Sequence, residues 1–244
     1  MKRGWGFVSG SLIFGAHMWG AASAGPWTQE PGETFSMLSL KYLTTQFSET
    51  SDATFRQPTL STYVEHGWRE AITVGAEVDA TLGIPAKGAL QGGGGARVFG
   101  RTRLWTSEEG EIISAEASIG FVAEPDQSAH IQPRLSFLYG EGYEHGWYDL
   151  ATSIRFDGTT IDELHSDATY GYRPAEGWVT YFQATTIQRV RPRLGEDITT
   201  TRFGLFVGYE ISSDRTLVVG ARREFFTVFA PPALEASISL WARF

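Results

Sequence analysis

From Glu33 to its last residue the chain alternates apolar and polar side chains, and no stretch keeps the three-to-four spacing of a long amphipathic helix. The stretch 233–244 shows this most plainly. Leu234, Ala236, Ile238, Leu240, Ala242 and Phe244 share one parity; Glu235, Ser237, Ser239, Trp241 and Arg243 share the other. Successive side chains of a strand point to opposite faces, so this segment is a strand with one greasy and one wet face. Twelve such segments are predicted: Thr34–Thr44, Phe55–Glu65, Ala71–Leu82, Arg97–Thr106, Glu111–Val122, Ile131–Gly140, Tyr148–Phe156, Leu164–Arg173, Val179–Gln188, Thr200–Ile211, Thr216–Val228 and Leu234–Phe244. Crossing the hydrocarbon layer takes about 9–11 tilted strand residues. The pattern therefore predicts an all-β, antiparallel, up-and-down transmembrane β-barrel of about twelve strands, with both termini on one side.

The spacing between segments orients the barrel. His66–Arg69, Ser107–Gly110, Pro174–Gly177 and Ser212–Asp214 read as tight periplasmic turns, and Glu141–Gly146 as a slightly longer one. Thr45–Thr54, Gly83–Ala96 with its run Gly92–Gly95, and Arg189–Thr199 read as longer outer loops.

Parity also assigns the two faces. Ile72, Val74, Ala76, Val78, Ala80 and Leu82 fall on the lipid side. So do Ile113, Ala115, Ala117, Ile119 and Phe121, and later Phe203, Leu205, Val207, Tyr209 and Ile211. The other face is charged: Glu77 and Asp79, then Arg97, Arg101 and Arg103, then Glu116, Arg134, Arg155, Arg202, Glu210, Arg222, Glu235 and Arg243, with Glu65 and Asp167 on the same parity. A lipid-facing Arg or Lys at mid-depth costs about 2–4 kcal/mol, so these residues belong in the lumen as its charged network and candidate pore lining. Arg223 has lipid parity, which predicts a bulge or a place near the outer rim. Tyr63, Trp105 and Trp241 have lumenal parity and should help to fill the interior. Two readings of the lumen follow. Opposed charges on neighbouring strands can cross-link and close a narrow barrel. Alternatively, an Arg ladder lines a polar conduit for a small solute.

Composition adds a compartment. Met1–Ala24 has a basic start at Lys2 and Arg3, an apolar run and the small-residue ending Ala22-Ser23-Ala24. It reads as a signal peptide cleaved after Ala24, leaving residues 25–244 as an outer-membrane barrel domain. The chain has no cysteine, and its net charge of −8 disfavours nucleic acid as a partner. A mean hydropathy of −0.17 is compatible with a barrel in which only alternate residues meet lipid. The expected partners are the lipid bilayer, lipopolysaccharide, a small-molecule solute and the barrel assembly machinery, the last through the C-terminal strand with Phe244 as its signal.

No enzyme chemistry emerges. His165 and Ser166 are adjacent, so a strand sends them to opposite faces, and there is no asparagine to orient the histidine as in outer-membrane phospholipases. His130 and Asp126 share a short outer loop without a second acidic pair. Gly92–Gly95 precedes no phosphate-loop lysine. Histidine and acid spacing gives no metal site, and no cofactor is expected. Arg189, Arg191 and Arg193, in an outer loop, are candidates for lipopolysaccharide phosphate contact.

Short motifs along most of the mature chain resemble one family. They are Gly25-Pro26-Trp27-Thr28-Gln29 with Pro31-Gly32-Glu33; Tyr63-Val64-Glu65-His66-Gly67 with Ile72-Thr73-Val74-Gly75-Ala76; Tyr170-Gly171-Tyr172-Arg173-Pro174 and the later Gln183; and the ending Leu240-Trp241-Ala242-Arg243-Phe244. These are similar to outer-membrane transporters associated with the phenol meta-cleavage degradation pathway. The resemblance implies a passive channel for small solutes near pathways for aromatic or hydrophobic compounds. A structural or surface-interaction barrel with a closed, ion-paired lumen is the alternative, and a membrane hydrolase the third possibility.

Overall fold

The computed structural model describes residues 26–46, 54–84, 91–123, 130–191, 198–225 and 233–244. The expected signal segment 1–24, Asp126, Arg193 and residues 226–232 lie outside them. Twelve strands form: β1 (Thr34–Gln46), β2 (Thr54–Arg69), β3 (Ile72–Gly83), β4 (Gln91–Thr106), β5 (Glu111–Ala123), β6 (His130–Tyr143), β7 (Gly146–Asp157), β8 (Thr160–Tyr172), β9 (Trp178–Arg189), β10 (Thr199–Ser212), β11 (Arg215–Phe225) and β12 (Ala233–Arg243). Each pairs antiparallel with its chain neighbours, and β12 returns to β1 to close the barrel. Closure leaves no free edge strand, so the paired strands satisfy one another's ladder amides and carbonyls within the wall. Leu38 lies opposite Leu240 and Leu40 opposite Ile238 at the seam. Beyond β12, the backbone N–H of Phe244 donates to the Thr34 carbonyl at 2.9 Å, and the Thr34 N–H donates to the Phe244 carbonyl at 3.0 Å.

The outer face is the apolar one expected from parity. Leu40, Val78, Val98, Ile119, Leu135, Leu150, Leu205 and Ile238 are all exposed, while their sequence neighbours turn inward. Such a belt is unfavourable against water and favourable against hydrocarbon.

The strands depart from expectation at a few places. Gly92–Gly95 is not a loop: it is ladder, with Leu82 opposite Gly92 and Asp79 opposite Gly95. The pairing demands of β3 override the weak strand propensity of glycine. His66–Arg69 is not a turn either. β2 runs through it with a register shift between Gly67 and Arg69, and the turn is Glu70-Ala71, with Ala71 at φ 62°. Trp105 does not fill the lumen. A register shift between Arg103 and Trp105 puts Trp105 opposite the outward Ile113, leaving it 47% exposed. One extra residue, Leu104, is enough to reverse the facing, because the side-chain period is two. Arg223 sits without a bulge between Phe203 and Leu234, two residues from the end of β11, where its guanidinium lies 5.4 Å from the Phe225 ring centroid.

Glycines pair with inward rings. Phe99 lies directly across from Gly75, Phe206 from Gly220 and Trp147 from Gly171. In each pair the ring occupies the space that a β-carbon on the glycine would need. Placing a large side chain beside none lets rings lie flat inside a narrow bore.

Candidate functional site

The lumen has two unlike halves. The half at the end carrying the termini is filled. Tyr63 stacks on Phe99, Phe35 meets both Tyr63 and Trp241 edge-on, and Tyr181 stacks on Phe206 with 4.5 Å between ring centroids. Trp241, at the centre of this cluster, is 0% exposed.

Into the same half runs the segment 26–33, which precedes β1. Pro31 bridges to Gly67, and Gly32 N–H donates to the Gly67 carbonyl at 2.8 Å. A β-carbon on Gly67 would overlap the Glu30 backbone, so glycine is required for the segment to pass. Further in, the Gln29 amide donates to Thr73 Oγ1 at 2.8 Å, the Ser114 hydroxyl donates to the Pro26 carbonyl, and Pro26 and Trp27 pack over Gly140. The segment is an internal stopper made from the chain itself. Sequence patterning missed it because it has no period; Gly67 within a strand was the available signal.

Charges knit the stopper to the wall. Arg101 is 1% exposed. Its Nη2 donates to Glu116 Oε2 at 3.0 Å, and its Nη1 donates to Glu65 Oε2 at 3.3 Å and to the Trp27 carbonyl at 2.9 Å. The Tyr63 hydroxyl donates to Glu65 Oε2 at 2.6 Å, and the Gln29 side-chain amide donates to Glu65 Oε1. Arg97 extends the chain of contacts, pairing with Glu116 and Glu77 at 3.0 Å each. With one cation between two acids, and each acid hydrogen-bonded, the burial is electrostatically satisfied.

Other lumenal charges form separate groups. Arg222 pairs with Glu235 at 2.9 Å, Arg202 with Glu224 at 3.5 Å, and Arg173 with Glu210 at 2.9 Å. Arg243 is half-buried at the terminal end, opposite Phe35. Arg103 has the parity of Arg101 but makes no ion pair among the described residues. Arg155 finds partners that parity did not assign. A register shift between Arg155 and Phe156 leaves Asp162 as an extra residue of β8, and both Asp162 and Glu163 reach Arg155. Glu163 also takes His165 at 2.6 Å and Arg189 at 3.3 Å. Arg189 is therefore a strand residue of β9 tied to Glu163, not an outer-loop cation. His165 turns inward, while Ser166 is exposed outside. Among the described residues no cluster of His, Asp or Glu could hold a metal ion.

The half of the lumen away from the termini contains a cavity of about 300 Å³ bordered by Glu77, Asp79, Arg97, Gln132, Arg134, Arg155 and His165. Arg134 makes no ion pair or side-chain hydrogen bond among the described residues.

No protein-family model matches the sequence, and comparison with curated proteins finds no match. Solved structures share its fold, that of outer-membrane β-barrels. An outer membrane channel from Pseudomonas putida F1 superposes with a TM-score of 0.71 at 11% identity, covering 92% of this chain and 100% of that one. The NanC porin gives 0.60 at 9% identity over 83% and 98%, and the CymD monoaromatic hydrocarbon channel 0.52 at 10% over 88% and 89%.

Proposed function

We propose that the protein is an outer-membrane channel that lets small solutes cross passively, with the terminal end of the barrel in the periplasm and the cavity toward the outside. One observation carries this reading: a segment separate from the wall, 26–33, lies in the filled half of the bore beside the wall's own aromatic cluster, while the other half holds a polar cavity of about 300 Å³. A barrel built only as a scaffold needs neither the cavity nor a stopper threaded past Gly67. Aromatic or hydrophobic compounds are the proposed cargo class. The family resemblance supports this, and so does the shared fold of a channel described as conducting monoaromatic hydrocarbons. The bilayer and lipopolysaccharide are the proposed surroundings, and the assembly machinery the proposed partner of β12.

The aromatic cluster around Trp241 and the Arg101 ion pairs favour a second reading, a permanently closed barrel. Planar bilayers and liposome swelling separate the two. A channel gives discrete conductance steps and solute-dependent swelling, both increased several-fold when residues 26–29 are deleted. Silence from both the full chain and the deletion variant would establish the closed barrel.

A further inference from the structure

We infer that Arg134 is a docking site for the carboxylate of a small organic solute in the outer vestibule. The inference rests on the channel reading for its purpose but not for its geometry. Arg134 points inward from β6, and its direct neighbour across the β6–β7 ladder is Arg155. Like charges placed opposite each other on a sheet repel and destabilise it. Among the described residues the wall neutralises only one of the two. Arg155 is held by Asp162 and Glu163. On the other side Arg134 faces the uncharged Ser118 of β5.

The nearby acids are committed elsewhere. Glu77 is paired with Arg97, Glu163 is shared by Arg155, His165 and Arg189, and Asp167 accepts the Thr185 hydroxyl. A guanidinium repelled by its neighbour and left without an ion-pair partner among the described residues is unfavourable in the empty barrel. It becomes favourable once an anion occupies the hollow beside it. The cavity of about 300 Å³ is at the small end of ligand sites, and the planar fork of Arg134 matches a carboxylate, with Arg97 and Arg155 on the same rim. The same rim selects for a single negative charge. Asp79 borders the cavity and makes no ion pair among the described residues, so a second charge on the solute would meet repulsion.

The test uses the full chain in detergent, with equilibrium dialysis of radiolabelled benzoate and, separately, bilayer conductance. Saturable benzoate binding is expected, weakened at least about tenfold in Arg134→Gln and less in Arg134→Lys, which keeps the charge but not the fork. Neutral benzamide should not compete, and inorganic phosphate should compete less well than unlabelled benzoate. Should the Gln variant fail to assemble, the Lys variant carries the comparison. The inference is overturned by unsaturable binding, by unchanged affinity in the assembled Gln variant or, if that variant fails, in the Lys variant, by equal competition from benzamide, or by tighter displacement with phosphate, which would make the site a phosphate site. A protein that conducts but shows no benzoate site sinks the docking site and leaves the channel. One that binds benzoate through Arg134 without conducting sinks the channel and leaves the docking site.

Discussion

Arg101 Nη1 donates a 2.9 Å hydrogen bond to the carbonyl oxygen of Trp27, joining a buried charge of the β4 wall to the stopper inside it. The same guanidinium holds Glu65 and Glu116. One residue therefore serves both barrel stability and closure. Removing it leaves two carboxylates in the lumen core without their shared cation. Arg101→Ala should destabilise the barrel by about 3–5 kcal/mol, measured as lower resistance of the folded form to heat on gels. Arg103→Ala, on the same face but outside that cluster, should change stability by less than about 0.5 kcal/mol. Equal effects would show that Arg101 is not the centre of the network.

Deleting residues 26–29 removes the Ser114, Thr73, Glu65 and Arg101 contacts of the stopper but none of the strand ladders. The barrel should still assemble, and conductance should rise several-fold. Assembly with unchanged conductance would mean that the aromatic cluster, not the stopper, is the constriction.

Gly75 is covered by the Phe99 ring. Gly75→Val forces that ring off its place and disturbs its stacking with Tyr63, at a cost of about 1–3 kcal/mol. Gly100, one residue along β4 from Phe99, has open space where a β-carbon would stand, and Gly100→Ala should be tolerated. Heat-modifiability of the two variants side by side checks the contrast.

The backbone and the side chain of Phe244 can be tested separately. Its backbone seals the β1–β12 seam through Thr34, while its side chain is 73% exposed. Phe244→Ala keeps both backbone hydrogen bonds, whereas deletion loses them. If the ring is the assembly signal, both variants should insert poorly into the outer membrane in cells, yet Phe244→Ala should refold normally in detergent. Normal insertion of Phe244→Ala would assign the residue to the seam alone.

What the sequence determined by itself is the wall. Twelve strands, their order, and the lipid and lumen faces follow from a period of two, because a buried or lipid-facing surface penalises every residue that breaks it. The charged face was legible for the same reason, down to the alternation of acids and bases over Glu77, Arg97 and Glu116. Only the tertiary structure decided how those charges divide. Single extra residues in β4 and β8 turned Trp105 outward and brought Asp162 to Arg155, and no local pattern announces such shifts. The stopper was equally invisible. Residues 26–33 carry no periodicity, and their place is set by contacts with residues up to 88 positions away, such as Ser114 with Pro26. The lack of an ion pair at Arg134 among the described residues belongs to the same class, since whether an inward arginine is paired depends on which acids the closed barrel has already given to others.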